Sequence, residues 1–257
     1  MSATVGERAA GATGAPDEAD RQAPGRRARQ QVGLARAVGA VLQKELLVEL
    51  RTFESVPAMS LFAVSTFVIF HFALNRGSVE GDLAAGILWV TLLFAAILGV
   101  NRLFVADAEQ GGFDGFLLAP VDRTAMLIAK VATLLAYLLV LELVAVPAFA
   151  LLLLGPSLWP ALGGLAATLA LADLGVALIG TLVAAMAVRT RARDLLGPLL
   201  TLPLFVPIVI GGARCTAPLL ELAHRSGPSA RWLATLGVYD LVFGLIAYAL
   251  FDFLLED

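Results

Sequence analysis

What this 257-residue chain has little of narrows its chemistry first. It has one cysteine, Cys215, which excludes an intramolecular disulfide framework and any CxxC redox or metal pair. It has two histidines, His71 and His224, and no HExxH, so it supplies neither a multi-histidine zinc centre nor a histidine-based triad. Its only lysines are Lys44 and Lys130, preceded by Gln43 and Ala129. A GxxxxGK[ST] loop therefore cannot be built, and the chain does not hydrolyse ATP by the P-loop route. Charge is scarce: 15% of residues are charged, against about 25% in a soluble domain. The net charge of −3 points to no nucleic-acid partner.

What the chain does have is apolar length. Hydrophobic residues make up 59% of it. Several runs reach the roughly 20 apolar residues needed to cross a hydrocarbon core about 30 Å thick. The reading is an all-α integral membrane protein with six spans, near 56–74, 83–101, 125–154, 158–188, 194–213 and 233–253. The third and fourth are joined by the short turn "GPSLWP". At 1.5 Å per residue a 30-residue span is about 45 Å long, so these two tilt, kink or project, with Pro147 as the candidate kink. The fifth carries Pro198, Pro203 and Pro207, each removing a backbone donor. Open backbone at that depth must face protein or water, which predicts a bent span buried in the bundle.

Residues 1–30 are rich in Ala, Gly, Pro, Arg and acids, too polar to offset their ordering entropy, and are expected to be a disordered tail. No apolar h-region follows the early arginines, so the segment does not read as a signal peptide. Residues 31–54 differ. Leu34, Val38, Val41, Leu42, Leu46 and Phe53 recur at helical spacing, interrupted by Arg36, Lys44, Glu45, Glu49 and Arg51. That pattern predicts an amphipathic helix lying on the membrane lipid, its charged heads in water. The six-helix domain occupies 55–257.

Lys and Arg near the span ends set the orientation. Arg36, Lys44, Arg51, Arg102, Arg123, Arg189, Arg191 and Arg193 fall on one side, and Arg76, Arg214, Arg225 and Arg231 on the other. The excess places the N-terminus in the cytoplasm, and an even number of spans places the C-terminus there too.

Three acids fall within the spans: Glu142, Asp173 and Asp240. A charge at mid-membrane costs roughly 2.5–3.5 kcal/mol on insertion scales, so such residues face the bundle interior. Glu142 and Asp173 lie near the middles of the third and fourth spans. They are candidates for a protonated, hydrogen-bonded pair, or for partners of Tyr137 or Thr181. Two roles stay open for the acids: a polar lining for a substrate path, or helix–helix hydrogen bonding. Lys130, nearer the cytoplasmic end, is expected to snorkel. His71, His224 and Cys215 fall at the outer side, where histidines are mostly solvated.

One segment stands apart from its apolar surroundings. "VADAEQGGFDGFLLAPVDRT", residues 105–124, packs Asp107, Glu109, Asp114 and Asp122 beside Gly111, Gly112 and Gly115. Phe113, Phe116 and Leu117 stand at i, i+3, i+4, which on a short helix makes one apolar ridge rimmed by acids. Anchors in the middle with charge at the rim suit a groove in a protein partner. The same composition also suits a solvated loop kept out of the membrane by its acids.

The run "GILWVTLLFAAILGVNRLFVADAEQGGFDGFLLAPVDRTAMLIAKVATLLAYLLVLELVAVPAFALLL" resembles the CcmB family, haem exporter protein B of cytochrome c maturation. "QKELLVELRTFESVPAMSLFAVSTFVIF" resembles that family's N-terminus and "LLGPLLTLPLFVPIVIGGA" its fifth span, so that the likeness covers about residues 35–255. Its most specific part is "NRLF", "GGFDGFLLAPVDR" and "LPLFVPIVI" at the family's separation. The departures are the long N-terminal tail and "GARCTAP". The resemblance implies an ABC-2 type permease of the bacterial inner membrane, homodimeric and without catalytic residues, metal or bound cofactor of its own. It implies a separate CcmA-like ATPase that binds the ATP. It also implies CcmC-like and CcmD-like membrane proteins and a CcmE-like chaperone that handle the haem. Asp107, Glu109, Phe113, Asp114, Phe116 and Leu117 would then form the ATPase-coupling segment, within 102–124. The other readings are an ABC-2 permease exporting a lipid, drug or glycan, and a membrane assembly scaffold that needs no ATP.

Overall fold

The computed structural model describes residues 23–74, 77–103, 123–154, 158–188, 193–221 and 226–254. Among the described residues there is no strand, and six helices are long and apolar enough to cross a membrane. In chain order the helices are α1 (Ala23–Thr52), α2 (Ser55–Leu74), α3 (Gly81–Leu103), α4 (Arg123–Phe149), α5 (Leu162–Val188), α6 (Arg193–Thr216) and α7 (Ala230–Leu254). A π-helical turn, Ala150–Leu154, prolongs α4 just after Pro147. Short 3-10 turns at Trp159–Ala161 and Ala217–Leu219 precede α5 and follow α6. The six spans are those expected, with ends shifted by a few residues. The largest shift is in the fifth, which runs from Gly197 to Leu219. Its extension past 213 is held by Trp89 of α3, whose indole N–H donates to the Thr216 hydroxyl at 2.9 Å.

Apolar enclosure ranks the helices. A helix that is hydrophobic all round belongs inside a bundle. In α5, 72% of the most apolar window is buried, and in α3 67%. For α2 and α7 the share is 17%, so these two are peripheral and turn most of their surface outward. Helix α5 packs against α4, α6 and α7, while α3 fills the space between α2, α5 and α6. Close approach at these contacts depends on small residues, as is usual where lipid removes the hydrophobic drive between helices. A Cβ at Gly180 would overlap Val100, and one at Gly212 would overlap the Trp89 ring.

Two expectations are corrected. Helix α6 continues through all three prolines and is less enclosed than the proline count suggested, at 39% of its window. It packs by one face on α3, α5 and α7, while Pro203 and Pro207 lie on the exposed side. Side chains engage carbonyls within this stretch: the Tyr239 hydroxyl donates to Leu204 O at 2.8 Å and the Thr201 hydroxyl to Gly197 O at 2.6 Å. The second correction concerns α1, which begins at Ala23 rather than at 31. Ala, Arg and Gln favour helix, and Pro24 sits in the first turn, where its missing N–H breaks no bond. Residues 1–22 lie outside the described ones.

Among the described residues, the turns named here gather at two ends. At one, Val79 N–H donates to Leu153 O, Gly81 N–H to Leu220 O and Ser226 N–H to Pro218 O. At the other, α1 turns into α2, Arg102 bridges to Glu54 at 3.1 Å, and α1 packs on α4.

Candidate functional site

The intramembrane acids form the most unusual feature of the interior. Glu142 of α4 and Asp173 of α5 are brought together on the wall of one small cavity. Asp173 is buried and Glu142 half-buried. A carbonyl or carboxylate oxygen only accepts, so a bond between two carboxyls requires at least one proton. Thr181 is not a partner of either acid: its hydroxyl is buried with no hydrogen-bond partner. Glu142 Oε1 and Asp173 Oδ2 are also buried without a partner. Both residues line a small cavity of about 20 Å³ between α3, α4, α5 and α6. That is room for one water.

Asp240 of α7 does not join them. It lies against α5 and α6, where a Cβ at Gly175 would meet both its carboxyl and Ile208. It is 5% exposed and neither carboxyl oxygen has a partner. Gly175 is thus what admits this acid to the helix contact.

A second polar cluster was not anticipated. Lys130, expected to snorkel, is 1% exposed and lies 3.0 Å from Glu45 of α1. Glu45, expected to stay in water, is buried with it, and half-exposed Lys44 approaches the same oxygen at 3.4 Å. One turn on, Glu49 Oε1 accepts the backbone N–H of Ser55 at 2.9 Å and of Val56 at 2.8 Å. It thereby caps the start of α2. Between the helices Phe53 takes a left-handed φ of 50°. Its N–H returns to Glu49 O at 2.8 Å, the usual closure of a helix end. So α1 is fixed to the bundle by two carboxylates four residues apart. The sequence did hold the signal. Glu45 stands three and four residues after Leu42 and Val41, inside the apolar stripe rather than opposite it.

The six residues read as the coupling segment, Asp107, Glu109, Phe113, Asp114, Phe116 and Leu117, lie outside the described residues, as does His224. His71 is not a plain solvated histidine. It is half-buried, and its Nδ1 meets Leu152 O in the π-helical turn, where the ring nitrogen must be the donor. The widened turn exposes carbonyls that α2 and the following loop satisfy, through His71 and Val79. Cys215 is buried beside Ser229. Among the described residues no group of three or more His, Cys, Asp or Glu could hold a metal ion.

Six lipid-length helices, with acids enclosed among them and a surface helix tied to one end, define a multi-pass membrane protein. The model of the CcmB protein family matches residues 36–251, and the chain belongs to that family. It is 33% identical to heme exporter protein B of Rhodobacter capsulatus over 178 residues, covering 68% of this chain and 79% of that protein. It is 30% identical to heme exporter protein B of Bradyrhizobium diazoefficiens over 217 residues, 83% of this chain and 96% of that one. The corresponding figures for the Paracoccus denitrificans protein of the same name are 37% over 153 residues, 58% and 67%.

Proposed function

We propose that this chain is the membrane permease subunit of an ATP-driven complex for cytochrome c maturation, serving haem export or release of a haem-loaded chaperone. The observation that carries this is the family match over 36–251, joined to relatives named heme exporter protein B along most of their length. The chain has no P-loop, so energy must come from a separate CcmA-like ATPase. The further assembly is a homodimer in the bacterial inner membrane, working with CcmC-like and CcmD-like proteins and a CcmE-like haem chaperone. Both termini are cytoplasmic, from the excess of Lys and Arg on that side. The chain itself is non-catalytic and binds no cofactor. ATP sits on the ATPase and haem on the other partners.

In this reading the 102–124 segment meets the ATPase, with Phe113, Phe116 and Leu117 as anchors and Asp107, Glu109 and Asp114 at the rim. Truncating buried aromatic anchors costs about 2 kcal/mol or more, whereas a rim charge costs less and changes salt dependence. Phe113→Ala with Phe116→Ala should release the ATPase from membranes and abolish covalent haem attachment to c-type cytochromes. Asp107→Asn or Asp114→Asn should weaken binding mildly. Co-purification of the ATPase and haem staining measure both effects, with immunoblotting for normal insertion. Full ATPase binding and maturation in the double aromatic variant would refute this coupling site.

A further inference from the structure

The Glu142–Asp173 pair poses a problem that the transport reading does not address. Two acids from neighbouring helices line one small cavity among apolar side chains, and each has a buried oxygen without a partner. Among the described residues no counter-charge lines the cavity. The rest of the cavity lining is Trp89 and apolar side chains from α3, α4, α5 and α6. The Trp89 N–H is committed to Thr216. Lys130 shares α4 with Glu142 but is twelve residues away, about 18 Å along the axis, and is paired with Glu45. On α7, which packs on α5 and α6, Tyr239 donates to Leu204 O, and Asp240 abuts Gly175 and is not part of the lining.

The unpartnered oxygens say what the site takes. Asp173 is 7% exposed, its Oδ2 has no partner, and it lines a cavity with room for one water. A hard metal cation needs six or more oxygens in most sites. Two carboxyls and one water fall well short. A proton needs only two acceptors, and a water needs two to four polar partners, which Glu142 Oε1 and Asp173 Oδ2 begin to supply.

We infer that Glu142 and Asp173 form a proton-binding site in the membrane interior, holding one shared proton between the carboxyls and one water against their free oxygens. The proton adds to one carboxylate and stays in the hydrogen bond to the other. The pair therefore carries one negative charge rather than two. This inference does not depend on the transport reading, because the test uses the full chain alone, without an ATPase or haem.

The test is infrared spectroscopy of the full-length protein in nanodiscs at neutral pH. The difference between wild type and Glu142→Gln/Asp173→Asn should contain the C=O stretch of one protonated carboxyl, moving to lower frequency in D₂O. It should also contain one carboxylate band. Glu142→Gln alone should lose the protonated band, because the amide N–H replaces the proton in the bond to Asp173. This single variant also serves if the double variant does not fold. Asp240→Asn should leave the pair's band in place. Two carboxylate bands and no protonated carbonyl in the wild-type difference would overturn the inference. So would loss of the band on adding sodium, potassium or calcium chloride at constant pH, which would mark a metal-cation site.

Discussion

Lys130 and Glu45 show how strongly a buried charge depends on its partner. Each is nearly inaccessible, and each occupies a position that would be costly if the other were missing. Removing one member of a buried pair typically costs about 3–5 kcal/mol, while replacing both with apolar or neutral groups of similar size is often near neutral. Lys130→Met and Glu45→Gln should therefore each lower the thermal unfolding midpoint in detergent clearly. The double variant should lie closer to wild type than the sum of the two. Strict additivity in this cycle would mean that the 3.0 Å contact does not link α1 to α4 energetically.

Helix–helix contacts here turn on where a glycine faces a large side chain. Gly212 of α6 lies under the Trp89 ring of α3, while Gly237 of α7 has nothing within 4 Å of a modest side chain. Gly212→Ala must push Trp89 away from Thr216 or separate the helices, at about 1–3 kcal/mol. Gly237→Ala meets no obstacle and should be neutral or slightly stabilising, since alanine favours helix by about 1 kcal/mol over glycine. Melting of both variants by size-exclusion after heating distinguishes them, and equal behaviour would contradict the α3–α6 packing. The six spans were legible in the sequence because twenty-residue apolar runs have no other use. So was the meeting of Glu142 and Asp173, since mid-span acids on adjoining helices have few partners. Where no mid-span acid marks it, the face a helix turns inward was not legible. Helix α3 is apolar on every side through its middle, so periodicity gives no direction there. The inward turn of Glu45 was marked only by its place in the apolar stripe, since its partner is 85 residues away. The proline-rich span misled for a related reason: prolines forbid donors but do not say whether their face meets protein or lipid.

For the whole molecule, the two ends differ in what they hold. One gathers the Val79, Gly81 and Ser226 backbone contacts, and the other holds α1 with its two anchoring carboxylates. Ser78 and Ser226 are exposed and lie in the turns of the first end. Arg36, Lys44, Arg51 and Arg102 belong to the second, which the proposed orientation turns to the cytoplasm. Cysteines at Ser78 and Ser226, in a Cys215→Ser background, should react with an impermeant maleimide in intact cells. Cysteines at Arg51 and Asp114 should react only after permeabilisation. Cys215 is buried, so its own labelling should be slow, and serine there leaves the Ser229 carbonyl a donor. Asp114 lies in the proposed coupling segment, between α3 and α4. The α3 end carrying Arg102 bridges to Glu54 beside α1, so positions 51 and 114 must label alike if the chain threads as described. Labelling of position 114 in sealed cells with 51 protected would break the threading between α3 and α4. Labelling of both in sealed cells, with 78 and 226 protected, would keep the fold, invert the molecule, and remove the 102–124 segment from the reach of any cytoplasmic ATPase.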